Sequence, residues 1–109
     1  MRTGLDRTLA ALADPHRRRV VELLRERPRP AGELARSTEL SFPAMSRHLR
    51  KLRECGLVEE ERDRFDSRVR IYRLRAAPMA DLKAWLESTD ALWARQLQAF
   101  RAHLRRGGT

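Results

Sequence analysis

Apolar residues recur along this chain in two rhythms, and the change of rhythm divides it. Up to Gly56 they return every three or four positions, the spacing of helices that bury one face. Leu5, Leu9 and Leu12 predict a first helix over Thr3–Ala13, with Thr3 and Asp6 placed as a capping box. Asp14-Pro15 marks a restart, since aspartate caps and proline fits the first helical position. The second helix runs to about Glu26 and carries Val20, Val21, Leu23 and Leu24 on its apolar side. Pro28 and Pro30 of "RPRP" break it. A short helix over about Ala31–Arg36 leads through "STEL" to another, opened by Ser41 as cap and closed by Gly56 in the left-handed conformation. Two short helices joined tightly, the second basic, form a helix-turn-helix candidate.

From Leu57 to Leu74 the pattern turns to strands, two of them around Asp66-Ser67 as a turn pair. That turn sets Asp63 opposite Arg70 and Glu60 opposite Arg73, pairs of opposite charge. After "RAAP" a last helix is expected over about Pro78–Arg106, ended by Gly107-Gly108 and roughly 40 Å long at 1.5 Å per residue. Leu82, Leu86, Trp93, Leu97, Phe100 and Leu104 form its apolar stripe. So long a stripe exceeds what a small core covers, and a second copy related by a two-fold axis would cover it. The expected fold class is mainly α with a small β-hairpin, in a single domain over residues 1–109 with a hairpin wing over about 57–74.

Charge changes the picture next. The chain has a formal net charge of +9, and this excess of base over acid favours a polyanionic partner, nucleic acid before an anionic membrane. No apolar run approaches the roughly 18 residues of a membrane span. The opening "MRTGLDRTLAALADPHRRR" mixes acids among its apolar residues and has no signal-peptide pattern, so the cytoplasm is the expected location. Cys55 is the single cysteine, which excludes an intramolecular disulfide and a thiolate cluster within one chain. Beside core-facing Leu52 it reads as a small apolar side chain before it reads as a redox switch.

The Ser41 helix holds the candidate chemistry. At 100° per residue Met45, Leu49 and Leu52 share one sector, while Pro43, Arg47, Arg50 and Glu54 point away, flanked by Ser46 and Lys51. The cations thus occupy the face that packing leaves free. A DNA major groove admits one α-helix, and the N-terminal half of such a helix reaches the base edges. Arg47 can bond guanine twice, Ser46 can serve a base or a phosphate, and Pro43 offers only an apolar contact. Phe42 suits a thymine methyl or packing. His48 reads as a neutral, packed, hydrogen-bonded histidine. In the hairpin, Arg62, Arg64 and Arg68 remain once Arg70 and Arg73 pair with acids, and such a tip can follow the backbone or enter the minor groove. Solvation of a surface helix is the plainer explanation of such a charge run; the neighbouring helix, the basic hairpin and the long last helix favour DNA. The acids Glu59, Glu60, Glu61, Asp63 and Asp66 count against hairpin contacts with phosphates.

The order of elements and the stretches "ALADPHRRRVVELL", "AGELA", "LSFPAMSRHLRKLRECGLV" and "RIYRL" resemble the ArsR (ArsR/SmtB-like) winged-helix transcription regulators over most of residues 8–74. The resemblance implies a homodimer built from the first and last helices, with Leu5, Leu9, Leu82, Leu86, Trp93, Leu97 and Phe100 at its interface. It implies binding of double-stranded DNA at an inverted-repeat operator, as a repressor. Ser41, Ser46, His48 and Leu49 match the family's recognition helix, while Phe42 replaces a commonly polar residue that contacts bases there. The family's thiolate site needs Cys-x-Cys in the short helix, which reads Ala31-Gly32-Glu33-Leu34-Ala35-Arg36. Its other common site needs Asp-x-His and His-x-x-Glu on the last helix, which has Asp81, Glu87, Asp90 and a lone His103. No metal and no cofactor are therefore expected, and a redox change, a small molecule or the protein's own concentration stay open as the signal. Trp85, Trp93 and Phe100 suit core packing better than a ligand site. A winged-helix adaptor or antagonist of another regulator is the alternative function. No nucleophile–base set and no glycine-rich phosphate loop point to an enzyme.

Overall fold

The computed structural model describes residues 2–107. The elements run α1 (Arg2–Leu12), α2 (Pro15–Glu26), β1 (Arg29–Pro30), α3 (Ala31–Thr38), α4 (Phe42–Glu54), β2 (Val58–Arg62), β3 (Arg70–Leu74) and α5 (Ala76–Arg105). The architecture is mainly helical with one small antiparallel sheet of strand order β1-β3-β2.

Local chemistry sets most of the boundaries. The Asp14 carboxylate accepts from the backbone N–H groups of His16 at 2.8 Å and Arg17 at 3.1 Å, so α2 begins where the Asp-Pro pair places it. Arg17 then reaches back, its Nε donating to the Ala11 carbonyl at 2.8 Å, and satisfies one of the orphan acceptors at the end of α1. The side chain of Thr3, and with it the expected capping box, lies outside the described residues. Glu39 closes α3 in the left-handed region at φ 58°, while the N–H groups of Glu39 and Leu40 bond the Arg36 and Ala35 carbonyls. Ser41 caps α4 by accepting from the Ala44 N–H at 3.2 Å. Gly56, at φ +75°, turns the chain out of α4 so that the Leu57 N–H returns to the Leu52 carbonyl.

Residues up to Met79 form one compact unit. Its core joins Val20, Val21, Leu23 and Leu24 of α2, Leu34 and Ala35 of α3, Met45, Leu49 and Leu52 of α4, Leu57 just before β2, and Val58 and Tyr72 of the sheet. The sector of α4 expected to face inward is the buried one. The remaining length of α5 is a second unit. None of the described α5 residues is buried. Trp85, Leu86, Leu92, Trp93, Leu97, Phe100 and Leu104 are all exposed, and Leu82 is half-buried.

The structure corrects three expectations, two of them in the sheet. "RPRP" stops α2 but also supplies β1, whose Arg29 and Pro30 pair with Tyr72 and Ile71 and make the hairpin three-stranded. α3 continues through Ser37 and Thr38, where the Thr38 hydroxyl donates to the Leu34 carbonyl at 2.8 Å. The hairpin register is one residue away from the expected one: Glu60 lies opposite Tyr72, Glu59 opposite Arg73 and Arg62 opposite Arg70. The cause is the loop. Asp66-Ser67 is not a two-residue turn; the strands are joined by residues 63–69, closed by Asp63 N–H to Val69 C=O at 2.9 Å. Asp63 has left the strand, and its carboxylate caps the loop by accepting from the N–H groups of Phe65 and Asp66. A one-residue slip exchanges the two faces of a strand, and it is this register that sets Tyr72 inward beside Glu60.

Candidate nucleic-acid interface

Helix α4 presents the basic face. With Met45, Leu49 and Leu52 each no more than 1% exposed, the opposite side is fixed toward solvent. Pro43, Arg47, Arg50 and Lys51 are exposed there, Phe42 is 58% exposed at the helix start, and Ser46 is half-buried. Among the described residues Arg47, Arg50 and Lys51 enter no ion pair. Their charge is unspent. Arg53, one turn later, differs: its guanidinium stands 3.6 Å from Glu60 and ties the end of α4 to the wing.

His48 lies half-buried at the edge of this face, its ring 5.6 Å from that of His16 at the start of α2. Burial holds its imidazole below the ordinary range, opposed by the Asp14 charge and assisted by the cations of Arg17 and Arg47, and so favours the neutral ring. No hydrogen bond to its side chain occurs among the described residues, so the expected hydrogen-bonded core histidine is instead a packed one. Cys55, half-buried against the core, also occupies a packing position.

The wing consumes most of its own acids. Glu60 accepts the Tyr72 hydroxyl at 2.6 Å and the Arg70 guanidinium at 2.7 Å; chiefly the Tyr72 hydrogen bond, and then the cations of Arg53 and Arg70, hold its carboxyl below the usual range against the cost of burial. Glu61 pairs with Arg73. Asp63 serves the loop backbone. Asp66 accepts from Arg68 Nε at 3.1 Å and Nη2 at 3.2 Å. Arg68, expected to be a free cation, is thus chelated by its neighbour. Arg62 and Arg64 are exposed, with no ion pair among the described residues. Arg62 moreover faces Arg70 directly across the ladder, a like-charged placement that costs folding free energy. Arg70 turns away from it to Glu60 and leaves the Arg62 charge outward.

A shallow cleft of about 390 Å³ lies between the start of α3 and the root of β3, walled by Pro30, Ala31, Phe42 and Val69 with Arg36 and Arg70 at its rim. Among the described residues no three His, Cys, Asp or Glu side chains converge as metal ligands, and no helix is long and apolar enough to cross a membrane.

The helix pair α3–α4, the three-stranded wing and the exposed cations together match a known group. The sequence profile of the bacterial regulatory proteins of the arsR family matches residues 14–60. The chain is 40% identical over 95 residues to the HTH-type transcriptional regulator Rv2034 of Mycobacterium tuberculosis, covering 87% of this chain and 83% of that one. The chain belongs to the arsR family. This ArsR-family protein is also similar to a solved ArsR-like transcriptional regulator from Rhodococcus sp., with a TM-score of 0.74, 31% identity and 92% of each chain covered. In fold it matches a homodimeric winged helix-turn-helix DNA-binding domain from Mycobacterium bovis, with a TM-score of 0.65 and 24% identity, covering 86% of this chain and 84% of that one. The protein is a DNA-binding transcriptional regulator with a winged helix-turn-helix fold.

Three features of this regulator escaped the sequence patterns. Arg29 is buried at 7% exposure, its guanidinium donating to the Leu23 carbonyl at 3.0 Å and to Glu33 and Glu26 at 2.7 and 2.6 Å. An arginine between two prolines carries no signal of burial. The Arg53–Glu60–Tyr72–Arg70 cluster depends on a register the turn pair did not reveal. Phe65 is 90% exposed at the wing tip, and only its isolation among charged residues marks it in the sequence.

Proposed function

We propose that this regulator is a homodimeric repressor that binds an inverted-repeat operator, with one α4 in the major groove of each half-site. The observation that carries the reading is the pairing of a buried Met45–Leu49–Leu52 face with the unspent cations Arg47, Arg50 and Lys51 opposite it. In this reading Arg47 and Ser46 read base edges, Phe42 and Pro43 supply apolar contacts near the helix start, and Arg50 and Lys51 hold phosphates. Arg62, Arg64 and Arg68 of the wing follow the flanking duplex, Arg68 with its charge shared by Asp66. The single winged-helix domain ends in a dimerisation helix, where Leu82, Leu86, Trp93, Leu97 and Phe100 meet their copies, joined by Leu5 and Leu9 of α1. Repression is then occupancy: a dimer seated on a promoter excludes other proteins from the same grooves.

Of the three acids of β2, Glu60 and Glu61 are neutralised within the wing, which leaves Glu59 as the one exposed acid of that strand without an ion pair among the described residues. The test is selection of bound duplexes from random DNA, followed by gel shifts of the selected and a scrambled duplex. Arg47→Ala should lose discrimination by about 1–3 kcal/mol, while Arg18→Ala on exposed α2 surface should weaken both duplexes alike. Equal losses on both duplexes for Arg47→Ala would remove Arg47 from base reading.

A further inference from the structure

Phe65 is a large apolar side chain, 90% exposed, in the hydrogen-bonded loop between β2 and β3. The loop around it is fixed by its own hydrogen bonds. The N–H groups of Phe65 and Asp66 donate to the Asp63 carboxylate at 3.2 and 3.0 Å, Val69 N–H to the Asp66 carbonyl at 2.9 Å, and Arg68 N–H to the Asp66 carboxylate at 3.1 Å. The ring is therefore displayed by a braced backbone rather than by a loose one. It sits between Arg64 and Asp66; Arg62 and Arg64 are exposed, and Asp66 is paired with Arg68. Residues 62–68 carry three arginines against two aspartates, a net charge of +1.

We propose that Phe65 is an apolar wedge that enters the minor groove beside each half-site and opens a base step there. The proposal rests on the DNA-binding reading above and deepens it. One aromatic side chain buries about 150–250 Å², far below the roughly 1,200–2,000 Å² of a stable protein–protein interface. It is the size of a wedge that parts two stacked bases, and phenylalanine is among the residues that do so. The charge around it fits the same occupant. The minor groove is the most negative part of the duplex where it is narrow, and the exposed cations Arg62 and Arg64, just before the ring in the loop, suit its phosphate walls. A protein partner apolar enough to accept Phe65 would have to bury these arginines as well. Opening a step costs least at pyrimidine–purine steps, so the wing should select TA or CA/TG at the flanks although it makes no hydrogen bond to a base there.

The experiment uses the full chain on the duplex selected from random DNA, with Phe65→Ala, Phe65→Leu and Phe65→Trp. Affinity is read by gel shift and bending by energy transfer between dyes on the duplex ends. Phe65→Ala should bind at least about tenfold more weakly, bend the duplex less and lose the preference for a flexible flanking step. Phe65→Trp should retain all three, and Phe65→Leu should lie between. The slope of log affinity against log salt should stay at the wild-type value in Phe65→Ala, since no charge is removed. Phe65→Ala within twofold of wild type, with the same bend and the same flanks, overturns the wedge and leaves the DNA-binding reading intact. A change of oligomeric state in Phe65→Ala overturns it in favour of a second copy. A wild-type chain that enriches no duplex overturns the reading beneath it, and the wedge falls too.

Discussion

Tyr72 donates its hydroxyl to Glu60 directly across the β2–β3 ladder, at 2.6 Å, and the same carboxylate receives Arg70 and stands beside Arg53 of α4. One acid thereby holds both wing strands and the end of the basic helix. Its carboxyl sits below the ordinary range, and burial together with the Glu60 charge pushes the Tyr72 hydroxyl up to about 12.

The sign of the pH effect follows. A carboxyl whose folded pKa is depressed adds stability above its unfolded value of about 4.5, and that stability is lost as pH falls through the folded value. Tyr72, raised from 10.0 to about 12, adds stability that is complete below about pH 10 and lost as pH rises toward 12. Between these limits both contributions are present. Tyr72→Phe should cost about 1–3 kcal/mol near neutral pH and flatten the acid limb. Urea midpoints of wild type, Tyr72→Phe and Glu60→Gln from pH 3 to 7 check this; an acid limb unchanged in Glu60→Gln would contradict it.

Arg29 joins α2, β1 and α3 through the Leu23 carbonyl, Glu26 and Glu33. Arg29→Ala strands an acceptor at the end of α2 and removes the main partner of Glu33, whose carboxyl is lowered first by this arginine. Arg27 still reaches Glu33 at 2.7 Å, so the loss should fall below that of a fully isolated buried charge, at about 2–3 kcal/mol. Arg29→Lys should recover only part of it, because an ammonium lacks the planar fork that serves three acceptors. Chemical denaturation of the three proteins measures the difference.

The helices were legible because their signals are local. Asp14-Pro15, Ser41 and Gly56 each act within a few residues, and each does what its chemistry dictates. The wing register was not legible because it depends on a side chain: Asp63 could pair as a strand residue or cap a loop, and only the closed loop shows that it caps. β1 escaped for a related reason. Two residues between prolines show no alternation, and their strand character comes from the partner, β3. Exposure of Arg47, Arg50 and Lys51 followed from the helical period, whereas the pairing of Arg68 with Asp66 needed the loop geometry.

Two positions test backbone strain with opposite signs. Glu39 ends α3 at φ 58°, a conformation that costs a side-chain-bearing residue free energy. Glu39→Gly should stabilise the fold by about 0.5–1 kcal/mol. Gly56 holds φ +75°, and a Cβ there would meet Arg75 Nη1 at an ordinary 3.6 Å, so Gly56→Ala should cost about 1 kcal/mol through backbone alone. Thermal midpoints moving in opposite directions are the expected result.

Arg50 and Lys51 are assigned to phosphates, so their loss should be read in the salt dependence. A dimer presents each twice, and each released contact contributes about 0.9 to the slope of log affinity against log salt. Arg50→Ala should therefore lower the slope by about 2, with little change in the ratio of operator to scrambled binding. A slope equal to that of wild type would show that Arg50 touches no phosphate.

The dimer assignment rests on α5. Trp93 is 59% exposed, Phe100 59%, Leu86 52% and Leu97 38%, on a 30-residue helix that buries none of its described residues. Helices in proteins draw most of their stability from packing an apolar face. A whole aromatic side chain buries about 150–250 Å², and roughly half of that is still open on each of Trp85, Trp93 and Phe100, so two such stripes meeting with their leucines approach the area of a stable interface. The wild-type chain should sediment as a dimer at micromolar concentration. Leu97→Glu sets a charge inside the seam and should give monomers with reduced helix content, while the Met1–Met79 unit keeps its core and its amide protection. Operator affinity should fall far more than for Arg50→Ala, since two linked half-sites become two separate weak ones. Monomeric wild type, or Leu97→Glu that remains dimeric and binds as before, would place the interface elsewhere.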